Sequence, residues 1–245
     1  MEERRVRSFT EVLTPACKIA IDGGAGYGGT AREMLDAGAA HVHAFEPFEG
    51  NHKFFETDDR ITLHKAALGA HNGRGSFKVP QTVKEGTVGW EDKVGYSSAG
   101  ALESDTIKTW NPFDKRRSHV EVVRADDVVD HADFIKLDLQ GGEPDALAGM
   151  PRLLAGASVL WVELIAKTEV VPIIRAAGFQ TYTTALLLNA DHTVDGVEVI
   201  DEIPSSAGVP YLVAWKAEPW VDFEAEFAAM KGRGLIQTDI LALRG

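Results

Sequence analysis

Cysteine is nearly absent from this chain of 245 residues, where Cys17 stands alone. One thiol closes no internal disulfide and builds no thiolate zinc site, so Cys17 reads as a buried thiol in a reducing compartment. Long hydrophobic runs are missing as well. No apolar stretch approaches the roughly 20 residues that span a bilayer. The basic residues near the start, MEERRVRSFTEV, lack the apolar stretch that follows them in a secretory signal. A cytoplasmic protein without a membrane span is the expectation. Positive charge is scarce too: 25 Lys and Arg face 37 Asp and Glu, giving a formal net charge of -12. Such a surface repels a phosphate backbone, which argues against nucleic acid as the primary partner. No repeat of 20 to 50 residues is visible, which excludes solenoids and propellers.

What is present is an ordinary globular composition, 44% hydrophobic and 25% charged, in which short apolar runs alternate with helix-like stretches. Lys18-Ile-Ala-Ile-Asp22, His41-Val-His-Ala-Phe45, Ile61 to His64, Phe134 to Asp138, Ser158 to Glu163 and Tyr211 to Trp215 read as strands. Helices are expected from Thr30 to Ala37, from Asn51 to Glu56 and from Val170 to Ala177. Near-continuous apolar strands separated by helices predict a doubly wound, mostly parallel α/β sheet covered on both faces. Thr181 to Ile203 and then Tyr211 to Trp215 suggest an antiparallel strand pair at its end. Phe223, Phe227 and Met230 form an i, i+4, i+7 stripe on a C-terminal helix at about 222–231, read as core packing with a homodimer contact as the alternative. The chain is expected to be one domain, 1–245. Residues 80–119 break the rhythm: they are polar and glycine-rich, with Trp90, Tyr96, Trp110 and Phe113 scattered through them, and read as a variable insertion or lid.

The turn Asp22-Gly-Gly-Ala-Gly-Tyr-Gly-Gly29 follows a strand and opens a helix. Gly24, Gly26 and Gly29 satisfy G-x-G-x-x-G, and Glu46 lies about 20 residues beyond the first of them, the spacing of the acid that holds a ribose in dinucleotide sites. Asp22 separates two cofactor readings. A pyrophosphate on the helix N-terminus would meet a like charge there, which is unfavourable. S-adenosylmethionine has no phosphate and carries an ammonium and a sulfonium, so an acid beside the glycines helps to hold it. Glu46 can then accept hydrogen bonds from both ribose hydroxyls. These residues favour S-adenosylmethionine over NAD.

With these pieces in view, the sequence resembles the FkbM-type S-adenosylmethionine-dependent methyltransferases over about residues 18 to 165. Ile21-Asp-Gly-Gly-Ala-Gly-Tyr-Gly28 looks like the family's first motif. Ala44-Phe-Glu-Pro47 with Asn51 is similar to its ribose-binding strand end, and Ala66-Ala-Leu-Gly69 with Gly73 and Phe77 to the next segment. Tyr96-Ser-Ser98, Asp126 and Val162-Glu163 also stand in the family's order. Phe134-Ile-Lys-Leu-Asp-Leu-Gln-Gly-Gly-Glu143 is the most specific of the matches. The chain departs from the family at Gln140, where Glu is usual, and at Gly26, where Asn is usual. The resemblance implies a Rossmann-like methyltransferase fold with a reversed final strand. It also implies methyl transfer to a hydroxyl of a sugar, glycolipid or polyketide-type acceptor.

Strand alternation puts Lys136, Asp138 and, if the strand continues, Gln140 on one face at its carboxyl end, where ligands of open α/β sheets bind. Methyl transfer needs an acceptor oxygen held opposite sulfur and a group to take its proton. Asp138 is the expected base or acceptor-orienting group, Lys136 a stabiliser of developing alkoxide, and Glu163, ending the next strand, their neighbour. A structural Lys–carboxylate brace is the competing reading of the same residues. Asp22, Gly24, Gly26, Glu46 and Asp126 are the expected cofactor residues, although Asp126 also suits a helix cap. Asp138, Glu163 and Glu143 could gather oxygen ligands for Mg²⁺, but the eight His show no ligand spacing and no metal site is assigned. His41 and His43 read as packing, His119 and His131 as surface residues. The rival functions are an NAD-dependent oxidoreductase and a non-catalytic binding module on a methyltransferase scaffold.

Overall fold

The computed structural model describes residues 17–55, 58–80, 101–102, 115–164, 169–189, 197–203, 211–216, 223–232 and 235–244. Its main sheet has nine strands. Five are parallel, in the spatial order β3 (Ile61–His64), β2 (His41–Phe45), β1 (Ile19–Gly23), β8 (Phe134–Leu137) and β9 (Val159–Leu164). β13 (Leu235–Arg244) then runs antiparallel beside β9, and β10 (Phe179–Asn189) antiparallel beside β13. β12 (Tyr211–Lys216) and β11 (Val197–Ile203) extend that edge, each antiparallel to its neighbour.

The expected strands sit within a residue or so of their predicted ends, because each is an apolar run rich in Val, Ile and Phe. The reversed strand inside the sheet is the C-terminal β13, inserted between β9 and β10. The antiparallel pairing of 181–203 with 211–215 is present, and lies outside β13 as an edge extension. Alternation splits the core in two. Ile21, Ile135, Leu137, Leu160 and Ile240 pack on one face of the sheet, and Ala20, Val42, Phe134, Val159 and Leu241 on the other.

Helix α1 (Gly29–Asp36) covers the second face with Ala31, Met34 and Leu35, spaced i, i+3, i+4. After it comes the short α2 (Glu49–His52). The first face is covered by α3 (Glu143–Ala148), α4 (Pro151–Gly156) and α5 (Val170–Ala176). α6 (Phe223–Lys231) adds Phe223, Phe227 and Met230 to the same core, so the stripe packs inward. Arg244 ties β13 to α4: its guanidinium donates to the carbonyls of Leu154 (2.6 Å) and Ala157 (2.9 Å) at the helix's C-terminal end and lies 4.3 Å from the Phe179 ring centre.

A second, four-stranded sheet runs in the order β4 (Ala66–Leu68), β7 (Lys115–Val123), β5 (Gly73–Pro80) and β6 (Ala101–Leu102). Its strands take up Pro80, 101–102 and 115–119 of the segment expected to be a lid. The rest of that segment, including Trp90, Tyr96, Ser97, Ser98, Trp110 and Phe113, lies outside the described residues.

Candidate active site

The chain winds from β1 out to β3 and returns to β8 on the other side of β1, so the sheet's switch point falls between β1 and β8. Open α/β sheets bind ligands outside the strand carboxyl ends at such a point. The two ends are stitched together by the Asp138 N–H, which donates to the Gly23 carbonyl at 3.0 Å. Beyond Gly23 the backbone turns through left-handed conformations at Gly24 (φ 75°), Gly26 (φ 55°) and Gly28 (φ 80°). Gly24 is also sterically forced: a Cβ there would stand 1.9 Å from the Asp138 carbonyl oxygen.

Glu46, just past β2, folds back onto this turn. Its Oε2 accepts the Gly26 N–H at 2.8 Å and its Oε1 the Phe48 N–H at 2.6 Å, while a His52 ring nitrogen bonds the Glu46 carbonyl at 2.8 Å. Burial pushes the Glu46 carboxyl up to about 7, against the lowering effect of those two N–H donors. The Asn51 side chain donates a further hydrogen bond to the same carboxyl.

Asp22 is completely buried at the end of β1. Its Oδ1 lies 3.2 Å from Lys136 Nζ, and neither oxygen receives a well-formed hydrogen bond among the described residues. Burial raises its carboxyl above the usual range and Lys136 opposes the rise. Lys136 is itself buried, with Asp138 Oδ2 3.6 Å away on its other side. Burial alone would lower the lysine, but the two carboxylates outweigh it and hold it protonated, above its ordinary value. The ammonium is therefore committed to Asp22 and Asp138. It braces adjacent strands and compensates a buried charge.

Asp138 faces outward, its side chain 33% exposed. The Gln140 amide nitrogen donates to its Oδ1 at 2.9 Å and to Glu163 Oε2 at 2.8 Å. Asp138 and Glu163 also hydrogen-bond each other. Burial would raise Asp138, but Lys136 and these hydrogen bonds hold it below the usual carboxylate range. Glu163 is driven far the other way, by burial and by the Asp138 charge, and keeps its proton. Gln140 reaches this position from a left-handed turn (φ 55°) rather than from a continued strand, since β8 stops at Leu137. Glu143 fastens that turn, accepting the N–H groups of Leu139 (2.8 Å) and Gly141 (3.2 Å).

A cavity opens between the two sheets, with about 560 Å³ of empty space when its solvent-open mouth is counted. One wall is the glycine turn with Glu46, Pro47 and Phe48; another is Asp138, Leu139 and Gly142. Ala67, Leu68, Phe77 and Leu102 make it apolar on the side of the second sheet. Among the described residues its charged lining is Glu46 and Asp138 alone, both acidic, with no cationic side chain.

The structure thus brings Gly24, Gly26, Glu46 and Asp138 to one cavity, with Asp22, Lys136 and Glu163 directly behind it. Asp126 stands apart: its carboxylate accepts the N–H groups of Arg152 (2.8 Å) and Leu153 (3.0 Å) and so caps α4. The histidines singled out from the sequence lie outside the cavity. His41 bonds Thr62 (2.9 Å), His43 bonds His64 (3.0 Å), His131 bonds Asp133 (2.7 Å), and His119 is exposed. Among the described residues no group of three His, Cys, Asp or Glu is arranged to hold a metal ion.

Asp239 belongs to the acid cluster and escapes a reading of the sequence. It lies opposite Glu163 in the β13–β9 register. Burial, and then the Asp138 charge, push its carboxyl up to about 7. Its signal was the apolar run Ile240-Leu-Ala-Leu243 that follows it.

The fold and site are those of a Rossmann-like methyltransferase: seven strands in the order β3-β2-β1-β8-β9-β13-β10, the sixth reversed, with a glycine turn and an acidic strand end at the switch point. The family model "Methyltransferase FkbM domain" matches residues 22–180, more than half of the chain. The chain belongs to the FkbM methyltransferase family. Among curated proteins, none matches it. Of solved structures, the chain is similar to a protein described as a "putative RNA methyltransferase PH1948 from Pyrococcus horikoshii", with 11% identity, a TM-score of 0.42, and 96% of this chain and 79% of that one covered. It is also similar to a "putative hemolysin" from Lactococcus lactis (15% identity, TM-score 0.39, 90% of each chain covered). Another "putative hemolysin", from Streptococcus thermophilus, matches with 14% identity, a TM-score of 0.38, and 91% and 72% covered.

Proposed function

We propose that this protein binds S-adenosylmethionine in the switch-point cavity and moves its methyl group to a hydroxyl oxygen of a small sugar, glycolipid or polyketide-type molecule. The observation that carries the cofactor reading is the charge beside the glycine turn: Asp138 in the lining, Asp22 buried behind it, and no cationic side chain among the described lining residues, whereas Glu46 suits the ribose of either cofactor. Among the described residues a dinucleotide's diphosphate would meet those acids and no cationic lining, whereas a sulfonium is attracted to them. Gly24 and Gly26 let the backbone approach the cofactor closely, and Glu46 lines the cavity as the acceptor for a ribose hydroxyl. Asp22 adds a buried negative charge behind the turn.

When bound, the cofactor supplies an electrophilic methyl carbon. The protein's own part is to orient the acceptor, exclude water and take a proton. Asp138, held ionised by Lys136, receives the proton of the acceptor hydroxyl as the new carbon–oxygen bond forms. Lys136 acts through Asp138 rather than on the substrate. Glu163, protonated, holds the Asp138 carboxylate in place. Asp126 is left out of the cofactor set, because it caps α4 and does not line the cavity. The acceptor class rests on the resemblance to the family, and the cytoplasmic location on the single cysteine and the lack of a signal-like or membrane-spanning apolar run in the sequence. No helix among the described residues is long and apolar enough to cross a membrane.

The test is transfer of an isotopically labelled methyl group from S-adenosylmethionine to a panel of hydroxylated sugars, glycolipids and polyketides. An ether product is expected. Asp138→Asn should lower turnover by about 10²–10⁴-fold, the usual loss for a general base, while S-adenosylhomocysteine still binds. Label recovered on nitrogen or carbon, or full turnover in Asp138→Asn, would overturn the assignment.

A further inference from the structure

Asp138 and Glu163 come from neighbouring strands and touch each other, and two ionised carboxylates at contact would repel. Gln140 resolves this. Its side-chain nitrogen has two hydrogens and both are used, at 2.9 Å to Asp138 Oδ1 and at 2.8 Å to Glu163 Oε2. The orientation of the amide is dictated by its neighbours, since a flipped amide would aim its carbonyl at two carboxyl oxygens.

Among the described residues Gln140 is also the one non-glycine residue with positive φ, at 55°. That conformation favours glycine, so the side chain is retained there against backbone strain. Glu143 grips the N–H on either side of it, at Leu139 and Gly141, and the turn so fixed points the amide at the two acids.

We infer that Gln140 is the positioning residue of this site: its amide ties Asp138 and Glu163 into one unit and aims the Asp138 carboxylate into the cavity. The unit holds one proton, between the two carboxyl groups, and one negative charge, on Asp138. The other charged groups packed around it are Lys136 on β8, Asp22 on β1, Glu143 on α3 and Asp239 on β13. The unit therefore favours a cation in the cavity and supplies a single proton-accepting oxygen.

The inference rests on the S-adenosylmethionine reading, and its test separates the two. The probes are S-adenosylhomocysteine, whose sulfur is neutral, and sinefungin, which carries an ammonium in that region. Both are titrated calorimetrically from pH 6 to pH 9 into the wild type, Gln140→Gly and Gln140→Glu. Gln140→Gly removes the amide and relieves the backbone. Gln140→Glu keeps the shape and exchanges the donor for a third acid.

The wild type should prefer sinefungin by about tenfold, and Gln140→Gly should lose most of that preference with S-adenosylhomocysteine affinity within about twofold, as expected when an aimed charge is released. In Gln140→Glu a third carboxyl replaces the amide donor and opposes ionisation of the pair, so the preference should become pH-dependent between pH 6 and pH 9, where the wild type, with Asp138 already ionised, is flat. A melting curve shows whether each variant folds, and if Gln140→Gly does not, the pH profile of Gln140→Glu decides. Preference and pH profile unchanged in the folded variants would overturn the role of Gln140 and leave the cofactor reading standing. No binding of either probe to the wild type would overturn the cofactor reading itself.

Discussion

Replacing Gly24 with alanine puts a carbon where the two strand ends leave no room. The new Cβ would stand 1.9 Å from the Asp138 carbonyl oxygen, far inside the 3.0 Å that real Cβ atoms respect. The obstacle is backbone and cannot swing aside. Relief requires β1 and β8 to part at their carboxyl ends, next to the 3.0 Å bond from the Asp138 N–H to the Gly23 carbonyl. The left-handed φ of 75° adds about 1–2 kcal/mol for any residue with a Cβ, and overpacking of this kind adds about 1–3 kcal/mol. A loss of about 3 kcal/mol lowers the melting temperature of a chain this size by roughly 6–12 °C. Gly38→Ala is the matched control: its φ is 114°, but nothing lies within 4 Å of the added carbon, so only the backbone cost applies. Thermal unfolding of both variants by circular dichroism isolates the clash. If Gly24→Ala melts no lower than Gly38→Ala, the close approach of the two strand ends is wrong.

Three further outcomes follow from the same geometry. Glu46 titrates near 7 and its ionised form receives the ribose hydroxyls, so affinity for S-adenosylhomocysteine should fall as pH drops through that value. If only the ionised form binds, the loss is about tenfold between pH 8 and pH 6; Glu46→Gln should be flat, and a flat wild-type profile would contradict the role. Asp126→Ala should cost about 1–2 kcal/mol of stability through the lost cap on α4 and leave cofactor affinity unchanged. A tenfold loss of affinity would return Asp126 to the site. Lys136→Met should cost about 3–5 kcal/mol, because it strands the buried Asp22 carboxylate without its counter-charge. Asp22→Asn in the same chain should recover part of that loss, and a single variant as stable as the wild type would rule out the brace.

The parallel half of the sheet was legible because β1, β2, β3, β8 and β9 are apolar runs that need no tertiary context. β13 was not. Gln237, Thr238 and Asp239 interrupt its apolar pattern, and only its place between β9 and β10 makes it a central strand. β6 and the first half of β7 were hidden in a polar, glycine-rich stretch that reads as loop, since a strand in a small second sheet needs just one apolar face. At the site, Glu46 and Asp138 were readable from strand ends, where α/β sheets put their ligands. Gln140 was legible only as an extension of β8: a left-handed turn at a residue other than glycine leaves no mark in composition or periodicity. Asp126 could be read two ways because the partner that decides between them, the start of α4, is adjacent only in the fold.

The most direct test of the cofactor assignment is a calorimetric titration of the purified protein with S-adenosylhomocysteine and, in parallel, with NAD. An acidic cavity at the glycine turn predicts micromolar binding of S-adenosylhomocysteine, weakened by about 1–3 kcal/mol in Glu46→Ala through loss of a charged hydrogen-bond acceptor, and no binding of NAD. Binding of NAD alone would contradict the assignment, and binding of neither would leave a methyltransferase fold serving as a scaffold.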